Sequence, residues 1–338
     1  MVESEMVEVI VCPAVEKNPR NSEADIIELK DGRLLLGYTE FYHGSGTDFS
    51  PARIAGKVSG DKGRTWSEPY TIQENVGAQN VMETDFLRLE TGEIAFFFCV
   101  KNSEADCHPY MRKTYDEGET WTDMVPVAKF YPGYFCLNND RAVQLSNHRI
   151  LLPASYGTNV WINPTWVSLC FYSDDNGRTW FKGEEVRIPN IEADEPGVIE
   201  LKDGRVMMWI RTDAGYIYRA YSEDKGETWS KPESMGLRSP SSPQTIKRIP
   251  STDALLLVWN NTPGPRRVPL TAAVSYDDGE TWVNLKNLET DERYTYAYTS
   301  ITFVGEEALL TYWVSGGGIS LKLRIIPVEW FSEMARGR

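Results

Sequence analysis

Five aspartates recur along this chain in one motif. Asp61, Asp116, Asp175, Asp224 and Asp277 each occupy the third place of an S/T-x-D-x-G-x-T-W segment. The segments run Ser59–Trp66, Thr114–Trp121, Ser173–Trp180, Ser222–Trp229 and Ser275–Trp282, and the aspartates are 55, 59, 49 and 53 residues apart. Carboxylates recurring in this way could do acid–base work, but the motif gives each one a local task. The Asp accepts hydrogen bonds from the turn's own N–H groups, the Gly takes a positive φ, and the Thr starts the next strand. The Trp is expected to tuck between neighbouring sheets, so these are read as structural turns. Five cysteines (Cys12, Cys99, Cys107, Cys136, Cys170) are odd in number and lack CxxC spacing. That argues against a disulfide framework and a zinc site, and neither metal nor cofactor is expected. The net charge of −14 disfavours nucleic-acid binding. An anionic ligand would need a local arginine cluster.

The elements that must position any site follow from the repeat. Each motif is preceded by a β-rich run, such as Arg53–Val58 or Leu270–Val274. Upstream of each lies an apolar strand, a turn and a second apolar strand, as in Ile26–Leu36 and Val198–Met208. Equivalent turns fall at Thr91-Gly92, Asn147-His148, Thr252-Asp253 and Gly305-Glu306, the last with no motif behind it. Six such hairpins and five motif hairpins predict an all-β, six-bladed propeller with four antiparallel strands per blade. Leu321–Ile326 would finish the sixth blade and Val7–Val11 would close the ring. With no linker or low-complexity stretch, residues 1–338 read as one domain. No run approaches the roughly 18 apolar residues of a membrane span. The acidic start, with Glu3, Glu5 and Glu8, does not read as a signal peptide. A cytoplasmic location is the expectation, or a secreted one if the chain has been trimmed.

The repeats, blade count and length resemble the sialidase (neuraminidase) superfamily over nearly the whole chain, the repeats being that family's Asp boxes. The resemblance implies where site residues should fall. Glu195-Pro-Gly-Val-Ile-Glu-Leu-Lys-Asp-Gly-Arg-Val-Met-Met-Trp-Ile-Arg211 is similar to the pattern in which a Glu opens one strand and an Arg closes the next. In those enzymes the Glu is the base for a tyrosine nucleophile, and the Arg belongs to a triad that grips a substrate carboxylate. Arg267 in Pro265-Arg-Arg-Val-Pro269 matches the next triad arginine, with Arg266 its neighbour. Tyr298 in Tyr296–Thr302 matches the nucleophile. A phenol of pKa near 10 is a poor nucleophile unless an adjacent carboxylate takes its proton. A neutral nucleophile also avoids repulsion by an anionic substrate. For the general acid, the Gly-rich His43-Gly-Ser-Gly-Thr-Asp48 offers Asp48, with His43 competing.

The pattern also departs from the family. Strand alignment puts Ser22 or Glu23 where the first triad arginine belongs, with Arg20 out of register, and Trp313 where a supporting glutamate belongs. The chain therefore reads as a divergent member without that arginine. Arg141 and Asp140 are expected at the axis, either as an ion pair or in contact with substrate. Glu83, Asp85, Glu23 and Asp25 add axial carboxylates, of which Asp25 or Glu83 could share the acid/base work. The implied substrate is the terminal sugar of a glycan or glycoside, acidic or not, and not necessarily sialic acid. The implied activity is exo-glycoside hydrolysis. A non-catalytic carbohydrate-binding propeller and a sugar lyase or intramolecular transglycosylase remain the alternatives.

Overall fold

The computed structural model describes residues 6–160 and 166–333; Glu3 and Glu5, on which the reading of the chain's start partly rests, lie outside them. Strands dominate, and the single helix among the described residues is the short Val328–Ser332. No helix among them is long and apolar enough to cross a membrane.

Successive antiparallel strands form six groups. In group one, Arg20–Glu28, Leu34–Phe41, Ala52–Ser59 and Tyr70–Gln73 pair in chain order. Group two runs from Asn80–Arg88 to Val125–Pro126. Group three runs from Val143–Gln144 to Phe181–Lys182, and group four from Asp194–Glu200 to Glu233–Arg238. Group five runs from Thr245–Arg248 to Val283–Glu289. Group six holds Thr295–Val304, Glu307–Ser315 and Ile319–Pro327, and its fourth strand is Val7–Cys12 from the other end of the chain. Arg20 pairs in parallel with Ile319 and links groups six and one. The short strand Tyr134–Cys136, not foreseen from the sequence, links groups two and three.

Every hairpin turns where the sequence places it, and the motif turns close as expected. Ser173 Oγ donates to Asp175 Oδ1 at 2.9 Å, and Thr179 donates through N and Oγ1 at 2.8 and 2.6 Å. The motif tryptophans pack in the apolar layers between groups: Trp66 between six and one, Trp121 between one and two, and Trp180 between two and three. Trp229 lies between three and four and Trp282 between four and five. A sixth layer joins five and six, so each group covers its neighbour's apolar face and the last covers the first. A strand apolar on both faces stays in water only if both faces are covered.

The first strands meet side by side and are pinned through buried polar groups. Asp25 accepts from the N–H groups of Ile26 (2.8 Å) and Phe86 (2.7 Å). Asp85 accepts from those of Arg141 (3.0 Å) and Ala142 (2.7 Å). Asp140 accepts from Ile301 N–H at 2.8 Å and pairs with Lys247 Nζ at 2.6 Å. Arg141, fully buried, donates to the carbonyls of Asn139 (2.9 Å), Asp140 (3.2 Å) and Gln244 (2.7 Å). These contacts give Asp25, Asp85, Asp140 and Arg141 a structural role beside the substrate contact expected of them, with Asp85 Oδ1 and Arg141 Nε still without a hydrogen-bond partner among the described residues. The expected Arg141–Asp140 ion pair does not form, since the carboxylate of Asp140 takes Lys247 instead. Buried backbone polar groups need partners, and on these crowded first strands side chains supply them.

Candidate active site

One backbone device recurs at the start of the first strands. The register slips between Ser22 and Asp25, Met82 and Asp85, Asp194 and Gly197, and Ala297 and Ser300. Inside each slip sits a non-glycine residue at positive φ: Glu23 (45°), Glu83 (70°), Glu195 (38°) and Tyr298 (58°). Such β-bulges bend a strand and re-aim a side chain, and a left-handed non-glycine residue costs about 1–3 kcal/mol. Two residues past Glu195 in the fourth group is Gly197, where a Cβ would lie 2.0 Å from Trp209 Cζ2; only glycine leaves room for that buried indole.

The bulges bring the expected nucleophile and base together. Tyr298 Oη donates to Glu195 Oε1 at 2.8 Å. Arg211 Nη1 holds the other carboxylate oxygen, Oε2. Arg211 reaches it because its backbone pairs with Asp194, the residue before the base. Burial, then the charge of Glu195, pushes the Tyr298 phenol well up, against the pull of Arg211 and Arg267. The phenol is thus protonated at rest, and Glu195 is the carboxylate placed to accept its proton.

Three arginines surround this pair. Arg267 lies 5.7 Å from the Tyr298 ring and 5.4 Å from the Trp313 ring. Arg20 lies 5.4 Å from the same Trp313 ring, on which Tyr298 packs edge-on at 4.7 Å. Arg20 therefore does reach the site, which corrects the reading that the first arginine is missing. The bulge at Glu23 takes up the extra residues that put Arg20 out of register. Its support comes from Glu23 (2.6 Å) and Ser22 (2.7 Å), not from the sixth group, where Trp313 offers only its ring.

Asp48 joins the cluster through Arg20 Nη1 at 2.5 Å. Lys101 Nζ and Asn80 Nδ2 anchor its carbonyl at 2.8 and 2.9 Å. The desolvation of its place would raise the Asp48 carboxyl, but Arg20, Lys101 and Arg267 outweigh that and hold it below the usual carboxylate range. His43 is not brought in: it is exposed, its ring edge-on to Tyr42, at the turn before Gly44. Arg266 is likewise exposed and bonds the Glu292 carbonyl.

Four further residues escaped the sequence reading of the site. Ser241 bridges two arginines, accepting from Arg211 Nε at 3.2 Å through Oγ and from Arg267 Nη2 at 3.0 Å through its carbonyl. Asp194 lies 3.7 Å from Arg211, and burial followed by Glu195 raises it to about 6 despite that arginine. Lys247 neutralises Asp140, as described above. Cys136 lies within the field of Glu83, Glu195 and Asp194, which with burial push its thiol well up. Glu83, already a candidate, is buried with Oε2 unpartnered, and burial, then Glu23 and Glu195, push its carboxyl well up. A neutral Glu83 carboxyl can both give and take a hydrogen bond. Among the described residues no group of three or more His, Cys, Asp or Glu is placed to hold a metal ion.

Comparison with known proteins gives the family and the fold. A family model for the BNR repeat-like domain matches residues 53–310. The chain belongs to the BNR repeat-like family, within the sialidase superfamily. A sialidase of Clostridium perfringens is 26% identical over 227 residues, covering 60% of this chain and 59% of that protein. A sialidase of Micromonospora viridifaciens is 27% identical over 288 residues, covering 75% of this chain and 43% of the other. This member of the sialidase superfamily thus spans only 59% and 43% of the length of these relatives. Among solved structures, the Hadza microbial sialidase Hz136 superposes with a TM-score of 0.78 at 17% identity, over 93% of this chain and 67% of that one, a likeness of fold.

Proposed function

We propose that this protein is a sialidase-like exo-glycoside hydrolase, built as a single six-bladed propeller, that removes a terminal carboxylate-bearing sugar. The closed succession of apolar layers from group to group supports the propeller. The reaction rests on one observation above the others: Tyr298 Oη on Glu195 Oε1 at 2.8 Å, with Arg211 on the opposite carboxylate oxygen. A binding module needs no base bonded to a phenol.

In this reading Arg20, Arg211 and Arg267 hold the sugar carboxylate. Glu195 accepts the phenol proton as Tyr298 Oη attacks the anomeric carbon, and Asp48 protonates the departing glycosidic oxygen. Asp48, then ionised, takes a proton from water as that water displaces Tyr298, and Glu195 returns the phenol proton. Two displacements give net retention, by the tyrosine variant of the usual two-carboxylate scheme. The arginines favour an acidic sugar because charge-assisted bonds to a carboxylate are roughly twice as strong as neutral ones.

The test is hydrolysis of a panel of terminal glycosides, acidic and neutral, by the wild type, Tyr298→Phe and Glu195→Gln. Cleavage of an acidic member that both substitutions abolish supports the reading. Unimpaired cleavage by Tyr298→Phe contradicts it, and binding without any cleavage favours a carbohydrate-binding propeller. Product structure separates hydrolysis from elimination or internal transfer.

A further inference from the structure

Every guanidinium nitrogen of Arg20 already donates a hydrogen bond in this structure. Its Nε donates to Ser22 Oγ at 2.7 Å, its Nη2 to Glu23 at 2.6 Å, and its Nη1 to Asp48 at 2.5 Å and the Gly46 carbonyl at 3.5 Å. Of the other two arginines, Arg267 has no carboxylate within ion-pair distance among the described residues, and Arg211 is held by Glu195, Asp194 and Ser241, of which Glu195 is the expected base. A ligand carboxylate that is to touch all three must therefore displace a partner of Arg20. The two carboxylate partners are unequal. The Glu23 side chain is 1% exposed and the Asp48 side chain 61% exposed. Glu23 sits inside a strand bulge, whereas Asp48 lies on a loop fixed to its neighbours through its carbonyl, which Lys101 and Asn80 hold. Its carboxylate can swing away without breaking those backbone contacts.

We propose that the Arg20–Asp48 ion pair is a latch, and that the carboxylate of an incoming sugar opens it by replacing Asp48 on Arg20, releasing Asp48 to take up a proton from solvent and act as the acid. This rests on the sialidase-like reading and deepens it. It ties acid activation to substrate charge. The groups facing Asp48 are Arg20, Lys101, Arg267, Glu23 and Tyr134. In the free protein three cations hold Asp48 ionised. Once a ligand carboxylate occupies Arg20 and Arg267, Asp48 loses their attraction and faces a new negative charge, so its proton affinity rises. A neutral sugar cannot exchange for a carboxylate on Arg20 and leaves the latch shut. Exo-specificity for acidic sugars would then arise at the protonation step as well as in binding.

The test is titration calorimetry at about pH 6, above the ordinary carboxylate range, in two buffers of different ionisation heat. The probes are a 2,3-unsaturated sialic acid glycal and its methyl ester. The latch predicts that binding of the acid by the wild type takes up about one proton per site, and that Asp48→Asn binds the acid with no such uptake. The ester should bind weakly with no uptake in either protein. Binding of the acid without uptake, or uptake that persists in Asp48→Asn, overturns the latch and leaves the sialidase-like reading standing. Failure of the wild type to bind the acid, with no acidic glycoside of the panel cleaved, overturns that reading, and the latch with it.

Discussion

Tyr298 Oη and Glu195 Oε1 are 2.8 Å apart, yet 103 residues separate them in the chain, and each sits in a strand bulge at positive φ. Two residues independently held in an unfavourable backbone conformation, and touching, show that the fold sustains strain at this spot. Inside a proposed active site such strain fixes the phenol on its base before substrate arrives.

Removing that proton transfer should therefore be costly. Glu195→Gln keeps the side chain's shape but cannot accept the phenol proton, and should lower kcat by about 10²–10⁴-fold. KM should change less, because Glu195 is engaged by Tyr298 and Arg211. Steady-state kinetics on the best acidic glycoside checks this.

The arginines should act on binding. Arg267→Ala removes a cation with no carboxylate partner among the described residues, so its loss should cost about 1.5–3 kcal/mol of ligand affinity. That is roughly a 10- to 150-fold rise in Kd for a carboxylate ligand. The Kd of a neutral analogue should hardly move. Parallel calorimetric titrations of the two ligands measure the difference.

The motif turns should matter for stability only. Asp224 accepts from Ser222 Oγ, Glu227 N, Thr228 N and Thr228 Oγ1. Asp224→Ala breaks all four bonds at a largely solvated turn, where water replaces part of what is lost. It should cost on the order of 1 kcal/mol and lower Tm, with kcat/KM unchanged. Thermal denaturation beside activity separates the two.

The pinning layer has its own pH signature. Burial, then Asp140, raises the Asp85 carboxyl to about 7 despite Lys247 and the bonds from Ala142 and Arg141. An acid whose folded pKa exceeds its unfolded value near about 3.9 binds its proton more tightly in the folded state. Its contribution is complete below the unfolded pKa and is lost as pH rises to about 7. Asp85→Asn cannot ionise, so its Tm relative to the wild type should climb across that window and level off above it. Thermal scans of both proteins from about pH 4 to 8 test the sign.

How much was legible in the sequence divides along a physical line. Hairpin geometry is local, so Glu195 and Arg211 could be paired from the turn between them, and the five motif turns from their own side chains. Arg20 was misjudged because a bulge at Glu23 changes register without any Gly or Pro to announce it. Asp25 and Asp85 do lie on first strands, and Asp140 and Arg141 just ahead of one, but the partners of all four were not foreseen. Whether a buried carboxylate meets a ligand or the N–H of an adjacent strand depends on packing between groups, which no spacing encodes. Ser241, through two arginines, and Lys247, through Asp140, act by contacts across groups and carry no sequence signal.

The central claim, that Tyr298 is the nucleophile, is tested most directly by trapping with a fluorinated sialosyl fluoride followed by peptide mass mapping. The account predicts one sugar adduct on the peptide containing Tyr298, absent from Tyr298→Phe. An adduct on another residue, or turnover of the reagent by Tyr298→Phe at the wild-type rate, would contradict it.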